Sequence, residues 1–257
     1  MLTEYRNIFD SHAHYDDEKF DDSRDVLLPS LFENGVIAVV NCGSDLKSSL
    51  RSQALSVKYE KIFFAAGIHP HEAAEMSEND FEEIKKLLND KKCVAIGEIG
   101  LDYHYDFSPR DVQKEVFEYQ LKLAKEYDMP VIIHDREAHE DTLELLKKYQ
   151  PKGVVHCFSG SAEMAKDILS IGMYIGLGGA VTFKNAKKPV SVAAMVPDDR
   201  LLIETDCPYM APVPHRGEVN NSLLIPCTAE VIAGIRGVSS QEILDITAEN
   251  AKALFFE

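Results

Sequence analysis

Residues able to hold a metal ion stand at the ends of short apolar runs from one end of the sequence to the other. Asp10-Ser11-His12-Ala13-His14 follows Ile8-Phe9, and Glu98 follows Val94-Ala95-Ile96-Gly97. His134 follows Val131-Ile132-Ile133, and His156 follows Val154-Val155. Asp206 follows Leu201-Leu202-Ile203-Glu204-Thr205. An apolar run of that length reads as a buried strand. A ligand-type residue just past strand after strand is how a parallel β/α barrel gathers an active site on its C-terminal face. Imidazoles with carboxylates make up the ligand set of a hydrolytic metal centre. The chemistry these residues predict is metal-dependent hydrolysis.

His12 and His14 lie two apart, a spacing that turns both side chains to one face of a strand. Glu98 sits between Gly97 and Ile99-Gly100, and its two oxygens could bridge two metals. Asp206 at a strand end could bind a metal and accept a proton from a metal-acidified water. Each also has a plainer reading: a surface histidine pair, a carboxylate capping turn amides, a turn aspartate before Pro208. A lone histidine after an apolar run is often a hydrogen-bonded core residue. His134 and His156, at equivalent positions of successive β/α units, favour a shared metal. His69 and His71, in Gly67-Ile68-His69-Pro70-His71, could reach substrate or metal, His69 the more so. Arg216 is the best cationic candidate for a phosphate contact, with Lys184 on the same rim. Ser159-Gly160-Ser161 opens a helix and could present N–H groups to phosphate or serve as a plain cap.

Positioning these residues requires the rest of the chain to alternate. Strand candidates fall at 7–10, 36–42, 62–67, 93–98, 130–134, 153–157, 173–177 and 200–205. Helix candidates fall at 22–34, 45–59, 78–89, 110–128, 136–149, 161–170, 188–195, 222–235 and 240–254. That order predicts an α/β protein, a (β/α)8 TIM barrel of the metal-dependent hydrolase type, as one domain over 1–257. Three prolines keep 206–221 irregular, so this loop should cover the active-site mouth.

At 257 residues the chain has the size of one such barrel. No apolar run approaches a membrane span, and the N-terminal residues lack a signal-peptide pattern. Five widely spaced cysteines without a Cys-x-x-Cys predict free thiols and a cytoplasmic location. The net charge of −16 argues against a clamp on a long polyanion but is neutral about an enzyme acting at strand ends.

The motifs together resemble the TatD family of metal-dependent deoxyribonucleases. The resemblance rests on Asp10-Ser11-His12-Ala13-His14, Gly97-Glu98-Ile99-Gly100-Leu101-Asp102-Tyr103 and Pro130-Val131-Ile132-Ile133-His134. It extends to His156-Cys157-Phe158-Ser159-Gly160, Glu204-Thr205-Asp206-Cys207-Pro208-Tyr209, and Pro212-Val213-Pro214-His215-Arg216-Gly217 with Asn220. The resemblance implies the barrel and two divalent metals. His12, His14, Glu98 and Asp206 would hold one; Glu98, His134 and His156 would hold the other. Catalysis would fall to Glu98 and Asp206, with Asp206 the proton acceptor for the attacking water. His69, Lys184 and Arg216 would contact substrate. Zn, Mn, Fe or Ni suits these mixed ligands, and Mg less well because it prefers oxygen shells. The resemblance further implies a 3′→5′ exonuclease acting on ends of DNA or other nucleic acid; we expect a monomer that does not engage membranes. One departure is visible: Asn220-Asn221-Ser222 stands where the family reads Asn-Glu-Pro, in the mouth loop, where it would bear on substrate grip.

Two competing readings remain at this level. The same barrel could hydrolyse another ester or amide, such as an aminoacyl-tRNA. No lysine follows Glu98 within its motif, which weighs against a carbamylated-lysine centre. A non-catalytic binding module is the third reading, disfavoured by the full ligand set and the missing basic stripe.

Overall fold

A computed structural model describes residues 5–257. Eight strands form: β1 (Ile8–Ala13), β2 (Val36–Cys42), β3 (Ile62–Ala66), β4 (Cys93–Asp102), β5 (Val131–Arg136), β6 (Gly153–Val155), β7 (Tyr174–Leu177) and β8 (Leu201–Ile203). They pair in sequence order, every ladder parallel. The helices between them are α1 (Arg24–Glu33), α2 (Leu46–Lys58), α3 (Glu78–Leu87), α4 (Arg110–Tyr127), α5 (His139–Tyr149), α6 (Ala162–Ser170) and α7 (Lys187–Met195). After β8 come α8 (Ile225–Arg236) and α9 (Ser240–Phe255). This is the predicted (β/α)8 barrel. Residues 1–4 of the stretch read as lacking a signal peptide lie outside the described residues. No single helix among the described residues is long and apolar enough to cross a membrane. None of the five cysteines forms a disulfide.

The strand period positions the site. Val40, Ile132, Val154 and Leu202 belong to one buried apolar cluster with Phe9. Two residues further along, and so on the same strand face, come Cys42, His134, His156 and Glu204. A layer of aliphatic side chains is thus the floor on which the polar groups stand.

Most strands differ from their predicted extents: β1 runs on to Ala13, β6 and β8 stop at Val155 and Ile203, and β4 and β5 both run longer at the site. β4 continues through Asp102, so Glu98 lies inside the strand and not past its end. The reason is its partner: β5 runs to Arg136 and pairs Gly100 with His134, Leu101 with Asp135 and Asp102 with Arg136. The ladder is irregular between Ile96 and Ile99, and such an irregularity re-aims a side chain. Gly100 makes the continuation possible. Its φ is +145°, and a Cβ there would lie 1.9 Å from the His134 carbonyl oxygen. The longer β5 also delays α5, which starts at His139 and not at 136.

The β8–β1 seam closes largely through side chains. One isolated bridge joins Ala13 and Cys207. Below it, buried Asp10 accepts from Thr205 N at 3.0 Å, Thr205 Oγ1 at 2.7 Å and Ser222 Oγ at 2.7 Å. Tyr15 Oη accepts from Ser222 N at 2.8 Å. The Asn-Asn-Ser departure also has a structural part to play at this seam. Asn221 caps a short 3-10 turn and Ser222 plugs into the seam. Asn220 ties the mouth loop to Thr205 O at 2.8 Å and Tyr209 O at 2.7 Å. Ser222→Ala leaves a buried carboxylate oxygen short of a donor and should destabilise the fold by about 1–3 kcal/mol. Denaturant unfolding of the metal-free protein measures this; an unchanged midpoint and slope would contradict it.

Candidate metal centre

Glu98 is the hub. Its carboxylate is buried, and its two oxygens face different groups. Oε2 lies 3.4 Å from His12 Nε2 and 3.6 Å from His14 Nε2. Oε1 lies 2.8 Å from both His134 Nδ1 and His156 Nε2. Asp206 adds Oδ1 at 3.5 Å from His14 Nε2 and 3.8 Å from His12 Nε2. Asp206 reaches inward because the chain turns sharply after β8, with φ +57° at Asp206, a conformation aspartate tolerates better than most residues. The structure thus brings together all six side chains the sequence predicted as ligands.

The outer nitrogen of each imidazole decides what its inner nitrogen can do. His14 Nδ1–H donates to Cys42 O at 2.9 Å, which makes Nε2 the nitrogen that faces the centre and can ligate once deprotonated. His134 Nε2–H donates to Asp102 Oδ2 at 3.0 Å, so Nδ1, hydrogen-bonded to Glu98 Oε1 at 2.8 Å, is the nitrogen that faces the centre. His12 Nδ1 faces Cys42 Sγ at 3.4 Å. His156 Nδ1 faces Glu204 Oε1 at 3.4 Å. Glu204 Oε1 also accepts from Cys157 N, and Gly176 makes room for Oε2. His69 has the opposite arrangement. Its Nδ1 accepts from His71 N at 3.2 Å, so the proton sits on Nε2, 3.6 Å from Glu98 Oε1. His69 is close enough to be a third donor with Glu98 and His134. Its tautomer instead makes it a hydrogen-bond donor facing the centre.

The donor set fits divalent cations. His12 Nε2 and His14 Nε2 approach to 2.9 Å, two nitrogens that share a proton in the metal-free protein and converge where a cation could replace it. Glu204 Oε2 and His156 Nδ1 are buried without hydrogen-bond partners. A cation on the far side of His156 would draw its Nδ1 proton toward that carboxylate.

Electrostatics in the metal-free protein follow the same geometry. Burial pushes the Glu98 carboxyl up, but His156, His69 and His12 outweigh it and hold it well below the usual range. Burial pulls His14 down, yet Asp206, Glu98 and Asp16 push it up to about 9. Burial also pulls His156 down, and Glu98 with Glu204 drives it well above its ordinary value. A protonated imidazole cannot ligate, so metal uptake must expel these protons. Apparent metal affinity should therefore rise with pH at least up to about 9. The slope is roughly tenfold per pH unit for each proton released. Calorimetric titration in buffers of different ionisation heat reads the proton count; a count of zero at pH 7 would contradict this.

The rim residues are placed less completely. Arg216 stacks its guanidinium over Phe183 at 3.9 Å and donates Nη1–H to Ala211 O at 3.0 Å. Lys184 follows Phe183 and is exposed, so both predicted cations share one side of the mouth. Ser161 caps α6, accepting from Met164 N. Sequence reasoning missed Asp102 and Cys42 as partners of the inner shell. Both are last residues of strands, the same signal that marked the others.

Comparison with known proteins agrees with this geometry. The family model for TatD-related DNase matches residues 9–256. A Bacillus subtilis protein, YabD, described as an uncharacterized metal-dependent hydrolase, is 45% identical over 251 residues, covering 96% of this chain and 98% of its own. The 3′-5′ ssDNA/RNA exonuclease TatD of Erwinia tasmaniensis is 32% identical over 257 residues, with 96% and 99% covered. The crystal structure of YjjV, a TatD homologue from Escherichia coli, superposes with a TM-score of 0.90 at 32% identity, covering 97% of this chain and 98% of that one. With its barrel and its cluster of imidazoles and carboxylates, the chain belongs to the TatD-related DNase family of metal-dependent hydrolases.

Proposed function

We propose that this chain is a phosphodiesterase that removes nucleotides 3′→5′ from the ends of single-stranded nucleic acid, using two divalent cations. The observation that carries the reading is Glu98. One of its oxygens faces His12 and His14, and the other faces His134 and His156. Such a division suits one carboxylate shared between two ions. A pair of bound ions would acidify water and hold the attacking and leaving oxygens of an in-line displacement.

The remaining work falls to the protein. Asp206 is 20% exposed at its side chain, the most open of the acidic groups around the centre, so it can meet a water and take its proton. His69 directs its Nε2–H at the same space and can donate to a phosphate oxygen. Arg216 and Lys184 supply positive charge on the rim, where a strand must enter. Bulk charge of −16 repels a long polyanion, so attraction confined to the mouth suits a strand end better than a duplex middle. The relative named as a single-strand exonuclease supports the same substrate class.

The test is metal-stripped protein on end-labelled single-stranded DNA, with Mg, Mn or Zn added back. A ladder shortening from the 3′ end is expected. Intact DNA alongside amino acid released from an aminoacyl-tRNA would replace this reading with deacylation.

A further inference from the structure

Beside the centre lies a group of aromatic side chains that neither the fold nor the ligand set requires. Tyr105 and Phe107, in the β4–α4 loop, are 47% and 67% exposed. Their rings stack at 5.2 Å with 19° between planes. The Arg136 guanidinium lies over the Tyr105 ring at 4.7 Å. His71 packs T-shaped against both rings, at 5.4 Å and 4.8 Å between centroids.

The loop that carries them is held at both ends. Asp102 Oδ1 accepts from His104 N and Tyr105 N at 3.0 and 2.9 Å. Ser108 Oγ donates to His71 O at 2.9 Å and accepts from Ala74 N at 3.0 Å. The same Asp102 uses Oδ2 to hold His71 Nε2 and His134 Nε2, both at 3.0 Å. One carboxylate therefore fixes the aromatic pair relative to a candidate metal ligand. Large aromatics seldom stay exposed on a pinned loop without a partner, because their burial is favourable.

We propose that Tyr105 and Phe107 form a stacking platform for an unpaired nucleobase of the strand whose phosphate lies at Glu98. This rests on the nucleic-acid reading and adds a requirement for base over bare backbone. Stacking is tolerant of sequence, since every base has a π-face. Arg136 places a positive charge at the same rim, where a neighbouring phosphate can approach. A base locked in a duplex cannot reach the platform, so the site selects single strands and frayed ends.

The experiment compares kcat/KM on a single-stranded oligonucleotide with that on the same strand bearing abasic residues at its end. The wild-type protein should prefer the base-bearing strand by roughly tenfold or more. Phe107→Leu keeps apolar cover over His71 but removes the π-face, and should bring the ratio close to one. Phe107→Trp should keep it. A fall of equal size on both strands in Phe107→Leu would overturn the proposal and assign Phe107 to shielding His71. No preference in the wild type would overturn it too.

A second arm needs no cleavage: quenching of a terminal 2-aminopurine when the strand binds. Quenching that Phe107→Leu abolishes, with no cut strand under any metal, would keep the platform and remove the phosphodiesterase reading. Cleavage without base preference or quenching would do the reverse. Matching melting curves for the variants exclude misfolding.

Discussion

Glu98→Gln should lower kcat/KM by roughly 10²–10⁴-fold and strip metal from the protein together. The substitution keeps the shape of the side chain, so packing does not explain the loss. It removes the one charge that faces both halves of the donor set and puts an amide N–H₂ where one lone pair was. Removing one partner of a buried charged pair costs about 3–5 kcal/mol, which corresponds to roughly 10²–10⁴ in an equilibrium constant. Metal affinity carries that loss directly. The metal-free protein should change as well. Glu98 raises His14, His156 and His134, so its neutralisation lets those imidazoles shed protons at lower pH. Metal analysis after dialysis, read with activity over a range of added metal, separates the effects. A variant with full metal content and full turnover would sink the bridging role.

Asp206→Asn should behave differently. The carboxyl is pushed up by burial, but His14, His12 and His156 hold it below the usual range, so it is ionised at neutral pH and able to accept a proton. Asparagine keeps the size and one oxygen and removes the proton acceptor. General-base loss typically costs 10²–10⁴-fold, so kcat should fall by roughly that factor while KM moves little. His12, His14 and Glu98 remain, so saturating metal should refill the centre without restoring turnover. Recovery of full activity at high metal would make Asp206 a ligand only. Because the Asp206 carboxyl is held low, the acid limb of the wild-type profile should follow the imidazoles instead. His14, pushed up to about 9 without metal, competes with the cation as pH falls.

The contrast between these variants shows how differently the two carboxylates were legible. Both stood out in the sequence for the same reason, an acidic residue after an apolar run. Nothing in one dimension separates a bridging carboxylate from an open one. Their burial and their neighbours do, and both depend on chain segments far apart in sequence.

Strand order, the barrel and the six side chains that converge are all legible in the residues alone. That was possible because a strand repeats every two residues, so Ile132 in the floor commits His134 to the mouth, and Val154 commits His156. The ends of strands were harder. Local pattern makes Glu98 terminal, yet pairing with β5 carries β4 on to Asp102, a long-range ladder that local pattern does not encode. Helix α4 shows the same limit. Its period marks the buried face with Gln120 on it but not Gln113, and both are buried there. Their amides replace backbone partners, Gln120 at Ile68 and Gln113 at Asp102.

Which nitrogen each histidine offers depends on contacts that exist only in the folded chain. His14 turns Nε2 and His134 turns Nδ1 inward as the nitrogen that can ligate, because Cys42 O and Asp102 hold the proton of the other nitrogen, whereas His69 turns its Nε2–H inward because His71 N occupies the other side. Tertiary contacts also turned Ser222 from a loop residue into a seam residue by placing it against Asp10. Residue type and period fix what a side chain can do; the direction of its hydrogen bonds, set by partners brought in from elsewhere in the chain, fixes what it does.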